Sequence, residues 1–390
     1  MKTDVQERPA ETGEDKLRWR YQDKAYNEIY KQWRKKNQDT VGFYFAENSS
    51  KVTYQEGVGL IKDLPETHEK HALEKVLSLV GKCMLFCVLC DVFSTYFLPG
   101  ILNRMGFDIQ YDFFMNKLYG NTYLVMTVDF IKIFLPRLII SIIFIMSIKL
   151  PFQVILPMKI TNKHMFRVCV PAMLLTSGVC CLMSMVSASL LPAYHMKPEY
   201  FVTMPQNVPQ TIFLIVTQVI IISIVREFFC RGMMLQLIRQ FGDELALIIT
   251  SFVMASACYD VSRFFYAFIG GMVIGYFTIR TGSVLTAILM KFTYLGYTYA
   301  VSLIHYKIDP LYGDIVLLAF LFVTIVTGLI FVVRFLYLHS DCFGVTMKNR
   351  YMSLRQKLLL GLTNIPVIMW LTTTVIVTVL SISFTPRMLQ

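Results

Sequence analysis

The chain has 390 residues, of which 55% are hydrophobic and 16% charged, whereas a soluble domain carries roughly 25% charged residues. With 30 Phe, 21 Tyr and a net charge of +11, these figures exclude a soluble enzyme, a disordered chain, collagen and a disulfide scaffold. Nor is this a nucleic-acid binder, because the basic residues do not gather into a water-exposed patch. Residues 1–82 hold 15 basic and 14 acidic residues, and the remaining 22 basic and 12 acidic residues fall between long apolar runs.

Residues 1–82 read as a polar cytoplasmic region. An amphipathic helix is predicted over about 16–37, where Trp19, Tyr26, Tyr30 and Trp33 recur at i, i+7, i+11 and i+14. Their shared side, on a helix rich in Lys and Arg, suits either the anionic inner leaflet of a membrane or the protein's own loops. His68 and His71 lack the i, i+4 spacing of a zinc-protease helix and read as solvated. The first apolar stretch begins only near residue 83, so no cleavable signal peptide is expected.

A spanning helix needs about 20 mostly apolar residues. Nine stretches qualify: 83–100, 122–148, 166–190, 209–238, 244–262, 264–280, 283–304, 313–337 and 361–384. The fold class is therefore all-α: a polytopic membrane helix bundle with about nine transmembrane helices (eight is the alternative count). The second stretch is the weakest, because Asp129, Lys132 and Arg137 interrupt it. Cys83, Cys87 and Cys90 lie on one helix face inside an apolar run, and like Cys180 and Cys181 they read as small buried hydrophobes. No disulfide framework, metal site or cofactor motif stands out.

Loop charge sets an orientation. Lys149, Lys159, Lys163 and Arg167 follow the second stretch without an acid, and Lys348, Arg350, Arg355 and Lys357 follow the eighth. The opposite loops are balanced, with Arg104 and Lys117 against Asp108 and Asp112, and Lys197 against Glu199. The positive-inside rule puts the N-terminus in the cytoplasm and the C-terminus outside. The chain divides into 1–82, then 83–205 with three helices, 206–305 with helices four to seven, and 306–390 with the last two and the tail.

Ionisable residues inside spans are costly and mark candidate sites. Asp129 and Lys132, three apart on one helix, can neutralise each other. The denser cluster begins at Arg226-Glu227, with Arg231 four residues after Glu227, and continues through Cys258, Arg280-Thr281-Gly282-Ser283 and Lys291. Arg226 precedes the turn at Phe241-Gly242-Asp243 by about as many residues as Cys258 follows it. At about 1.5 Å per residue, an antiparallel hairpin holds both roughly 20 Å from that turn.

From Arg226 to about Leu303 the chain resembles the CPBP (Abi) family of membrane proteins. That family includes the type II CAAX prenyl proteases and bacteriocin-processing or immunity proteins. Its members carry Glu-Glu-x-x-x-Arg on one helix, Phe-x-x-x-His on the next, and His-x-x-x-Asn two helices later, often after Arg-Thr-Gly-Ser. Here Glu227, Arg231 and Gly232 keep the first motif's spacing, and Phe241-Gly242, Gly270-Gly271, Gly275-Tyr276 and Arg280 to Ser283 sit in family-like places. The departures weigh more. Arg226 stands where the family has the Glu credited with activating water, and Cys258 stands for the first His. Lys291 and Tyr294 replace the last His and Asn.

Hydrolysis needs a base that takes a proton from water and a donor that steadies the oxyanion. A guanidinium stays protonated, so Arg226 cannot be that base. Tyr294 can still donate a hydrogen bond. Glu227 and Arg231 fit a structural pair, and one carboxylate among Arg226, Arg231 and Lys291 leaves a net positive pocket. The resemblance thus implies a catalytically inactive protein of a bacterial cell membrane, acting by binding as a scaffold, immunity or peptide-export component. Its partners are membrane lipid and a peptide or partner helix, with no nucleic acid and no cofactor, and no oligomeric state is indicated. Two alternatives stay open: an active membrane-embedded CAAX-type endopeptidase with an atypical site, in which Cys258 beside a cation could be a nucleophile, and a membrane transport component using Asp129, Lys132 and Glu227 as polar gates.

Overall fold

The computed structural model describes residues 24–37, 40–44, 52–55, 59–62, 65–112, 117–190, 205–338 and 351–381. Trp19, His195, Lys197, Glu199, His339, Lys348 and Arg350 lie outside them. The architecture is an all-α polytopic bundle. Among the described residues, seven helices are long and apolar enough to cross a membrane, or eight if one bent pair forms a single span.

Helix α1 (Lys24–Lys36) is followed by a hairpin, β1 (Val52–Gln55) and β2 (Gly59–Lys62), paired antiparallel. Helix α2 runs from Pro65 to Val92 and continues through a π-helical turn, Phe93–Phe97, to Arg104. It starts well before the apolar stretch read from residue 83, so the boundary drawn at 82 falls inside a helix. The reason is visible in its polar first half. Leu73, Val76, Leu77 and Val80 recur at helical spacing and are buried, which supplies an anchoring stripe among charged neighbours.

A second antiparallel hairpin, β3 (Ile109–Asp112) and β4 (Lys117–Gly120), leads into α3 (Thr122–Ile148). Neither hairpin was expected from the sequence. After a one-turn helix, α4 (Phe152–Ile155), come α5 (Lys163–Leu190) and α6, which extends from Val208 to Phe241 with π-helical turns at Ile215–Ile221 and Phe228–Met234. Then follow α7 (Asp243–Ser256), α8 (Val261–Thr281), α9 (Val284–Lys307) and α10 (Pro310–Leu338). Helices α11 (Leu354–Thr363) and α12 (Ile365–Ser381) complete the described chain.

Two spans depart from the nine expected. The stretch 244–262 does not form one long helix: α7 has 14 residues, about 21 Å, short of the ~30 Å hydrocarbon core. Tyr259 takes a left-handed backbone, φ 49°, a conformation an L side chain adopts at a cost and which ends a helix. The last stretch is broken, with α11 and the helix after it meeting at 72°. Pro366 has no N–H to offer the preceding turn and its ring crowds the carbonyl of residue 362, so the helix cannot run through.

The spans pack in an interlocked order. Helix α10 lies along α5, α12 along α2, and α8 between α7, α5 and α9, while α6 touches α3 and α9. The aromatic face of α1 settles one alternative, because Tyr26, Tyr30 and Trp33 are buried against protein. Tyr26 Oη donates to Gln236 Oε1 at 2.6 Å, Tyr30 Oη donates to the Gln236 carbonyl, and Trp33 Nε1 donates to the Ile148 carbonyl. The helix therefore packs on the ends of α6 and α3, and this face does not lie on lipid.

The same end of the bundle carries a buried ion pair. Lys357 Nζ lies 2.6 Å from Glu69 Oε1 and donates to the Phe241 carbonyl, while Glu69 Oε2 accepts the Met352 amide. Those contacts tie α2, α11 and the α6–α7 turn together.

Candidate functional site

Arg231 organises the core. It is fully buried on α6 and donates to Thr250 Oγ1 of α7 at 2.5 Å and to the Gly271 carbonyl of α8 at 2.6 Å. A third contact goes to the Met254 sulfur at 3.1 Å. Glu227, one turn earlier, places Oε2 3.6 Å from Arg231 Nε. Neither Glu227 oxygen accepts a hydrogen bond, so this carboxylate is held by charge alone among Arg231, Lys291 and Arg226.

The family-like glycines explain how a guanidinium fits there. A Cβ on Gly275 would lie 2.6 Å from Leu247 Cδ1 and 3.4 Å from Arg231 Cζ, and one on Gly271 would lie 3.2 Å from the Ser251 backbone. Glycine at these places lets α8 close on α7 with Arg231 sandwiched between them. Gly270 faces the Tyr294 ring. The Arg280 to Ser283 run forms the tight α8–α9 turn: Gly282 is left-handed, φ 71°, and Ser283 caps α9 by accepting the Leu285 amide. Ser283 also donates to the Met158 carbonyl, and the Val284 amide donates to the Pro157 carbonyl. These residues build the scaffold.

Above the clamp lies a cavity of about 260 Å³ whose wall includes Arg226, Cys258, Lys291 and Tyr294. Four positions on two helices and a turn, read from sequence as motif equivalents, thus surround one space. The depth argument holds for Arg226 and Cys258 because α7 stops short, which brings its apex to the cavity. Cys258 Sγ lies 3.7 Å from the Met254 carbonyl, one turn back, as donor. Lys291 Nζ sits 4.2 Å from the centre of the Tyr294 ring, a cation–π contact, and Tyr294 packs in turn on Tyr266.

The cavity also gathers groups that sequence reasoning missed or treated apart. Asp129 and Lys132 reach it from α3, with Lys132 the cation that acts on Asp129. Asp91 and Tyr259 had not been singled out. Tyr259 Oη donates to Asp91 Oδ2 at 2.7 Å, and Arg137 Nη2 lies 3.9 Å from the same oxygen. That hydrogen bond helps hold the left-handed Tyr259 backbone. Asp91 sits in the Cys83–Cys90 helix and was legible as an intramembrane acid, but its partners lie on α3 and beyond α7, far away in sequence. Counted over the whole wall, five basic side chains (Lys132, Arg137, Arg226, Arg263, Lys291) stand against the acids Asp91 and Asp129. Wall-lining histidines are absent among the described residues.

Residues 208–296 match a family model described as type II CAAX prenyl endopeptidase Rce1-like. Over this stretch the core is similar to the type II CAAX prenyl endopeptidases of the CPBP family. The match runs from the start of α6 to the middle of α9 and holds all six motif-equivalent positions, though it spans under a quarter of the chain. Neither a curated protein nor a solved structure matches the chain. The protein is accordingly a multi-pass, membrane protease-like protein.

Proposed function

We propose that this CPBP-type protein holds a ligand in its intramembrane cavity without cleaving it. The observation behind this reading is the cavity wall itself. At the positions where the family has a carboxylate, two imidazoles and an amide, it carries Arg226, Cys258, Lys291 and Tyr294. A guanidinium cannot accept a proton from water. The two acids that do line the space are committed elsewhere: Asp91 accepts from Tyr259 beside Arg137, and Asp129 faces Lys132. Losing one catalytic donor or base costs about 100-fold or more, and here every such position is exchanged.

The setting that fits this reading is a bacterial cell membrane. Lys149, Lys159, Lys163 and Arg167 follow α3 and begin α5, at the end where α1 packs, and by the positive-inside rule that end faces the cytoplasm. An immunity, scaffold or peptide-export role follows from family resemblance.

The test is direct. An internally quenched prenylated peptide is incubated with the purified protein in detergent or nanodiscs. The expected rate does not exceed that of buffer, and it stays unchanged in Cys258→Ala. Cleavage by the unmodified protein that disappears in Cys258→Ala would overturn the proposal. Restoring Arg226→Glu, Cys258→His, Lys291→His and Tyr294→Asn together asks whether the scaffold still supports the chemistry.

A further inference from the structure

The segment joining α3 to α5 is pinned to the bundle along its inner side. Leu150, Val154 and Ile155 are buried, and a Cβ on Gly232 would lie 2.9 Å from the Ile155 carbonyl oxygen, so α4 sits directly on α6. Trp33 of α1 donates to the Ile148 carbonyl, and Ser283 and the Val284 amide donate to the Met158 and Pro157 carbonyls. The Thr161 amide donates to the Thr281 carbonyl. With that side held, the segment turns Phe152 and Met158 outward, 64% and 52% exposed. Lys149, Lys159, Lys163 and Arg167 are exposed beside them.

The depth of this surface follows from the helices it joins. Helix α3 has 27 residues and the crossing part of α5 has 25, roughly 40 Å each. The hydrocarbon core is about 30 Å thick, and about 40–45 Å with the head groups, so Ile148 and Lys163 end their spans among head groups. Exposed apolar side chains next to exposed cations suit the boundary between acyl chains and phosphates.

The acids nearby do not reverse the sign of the surface. Between Asp129 and Glu199 the sequence holds none. Of the elements packed on the segment, α1 brings the exposed Glu28 together with exposed Lys31 and Lys36. The Phe228–Met234 turn of α6 and the Arg280 to Ser283 turn bring no acid. Further along the same end, Asp243 and Glu69 are paired with Arg239 and Lys357, and Glu244 is half-buried.

We propose that the α3–α5 segment is a docking surface for anionic phospholipid, with Phe152 and Met158 among the acyl chains and Lys149, Lys163 and Arg167 on the phosphates. None of these residues lines the cavity, so the peptide-cleavage assay neither supports nor weakens the assignment. The full chain in neutral detergent is titrated with phosphatidylglycerol labelled on its acyl chain. Unlabelled phosphatidylglycerol, phosphatidylcholine, glycerol 3-phosphate and a poly-glutamate peptide serve as competitors.

Phosphatidylglycerol should compete at least tenfold better than phosphatidylcholine, the two soluble anions should not compete, and added salt should weaken binding. Each cation at an anionic membrane surface contributes about fivefold in affinity. The triple variant Lys149→Gln, Lys163→Gln, Arg167→Gln should therefore bind roughly 100-fold more weakly. Its charge-keeping counterpart, Lys149→Arg, Lys163→Arg, Arg167→Lys, should bind as the unmodified chain does, which separates loss of charge from loss of fold. Phe152→Ser should weaken both lipids alike. Equal competition by phosphatidylcholine, or unchanged affinity in the charge-removing variant, would overturn the surface. So would equal loss in the charge-keeping variant, or displacement by glycerol 3-phosphate or poly-glutamate at the lipid's own concentration, which would assign the cations to a free phosphate or an acidic protein.

Discussion

Replacing Arg231 by Met is the sharpest test of how the core is held. The substitution keeps most of the volume, so no large cavity opens, but it removes the guanidinium bonds to Thr250 and to the Gly271 carbonyl. A bond involving a charged group contributes about 1.5–3 kcal/mol. The change also strips Glu227, already without a hydrogen bond, of the Arg231 guanidinium 3.6 Å away. Breaking one side of a buried pair costs about 3–5 kcal/mol. These terms overlap because they describe one side chain, so the expected loss is about 3–5 kcal/mol in all. At about 2 °C per kcal/mol for a chain at or beyond the upper end of the usual range, the melting temperature should fall by roughly 6–10 °C. The assay is thermal unfolding in mild detergent, followed by tryptophan fluorescence. The double variant Glu227→Gln with Arg231→Met should recover part of the loss, giving a coupling of about 1 kcal/mol or more in a double-mutant cycle. A drop of under 2 °C, or no coupling, would refute the view that Arg231 clamps α6 to α7 and α8.

Other consequences are equally concrete. Gly275→Ala puts a methyl 2.6 Å from Leu247 Cδ1 and should cost about 1–3 kcal/mol through overpacking, read in the same melt. Trp33→Ala removes a buried indole bonded to the Ile148 carbonyl. Such a truncation costs about 3–5 kcal/mol, here confined to α1 docking, so hydrogen exchange should rise across residues 24–36 while the spans stay protected. Burial pushes the Tyr26 phenol up to about 12, and it pushes Tyr30 up as well. Because the docked value lies above the undocked value of about 10, docking is at full strength below pH 10. It should weaken as pH climbs towards 12, and Tyr26→Phe should flatten that dependence in the exchange of α1. Finally, Glu69→Gln leaves Lys357 buried beside a neutral partner and should destabilise by about 3–5 kcal/mol, whereas loss of under 1 kcal/mol would make the pair incidental.

Most membrane helices were legible because a run of some 20 apolar residues has few alternatives. The segment Thr122–Ile148 has the bounds that hydropathy suggested, despite Asp129, Lys132 and Arg137. Failures occurred where a local backbone event overrode composition. The left-handed Tyr259 cut α7 short, Pro366 bent the last span, and the stripe around Leu73 extended α2 into a polar region. The motif spacing from Arg226 to Tyr294 named four residues that line one cavity, but the pairing of Asp91 with Tyr259 was not readable because the two lie far apart in sequence. Helix α1 was readable as amphipathic, yet its neighbour was not, since an aromatic stripe suits lipid and protein alike.

By itself the amino-acid order determined that this chain carries membrane-spanning helices, and which four positions depart from the motifs of the family it resembles. Those are matters of side-chain chemistry and of spacing along one helix, and both are local. Only the tertiary structure decided that Arg226, Cys258, Lys291 and Tyr294 share one chamber, and that Asp91, Asp129 and three further cations join them. The membership of a closed space depends on which helix faces pack together, and distant segments meet only when the bundle closes.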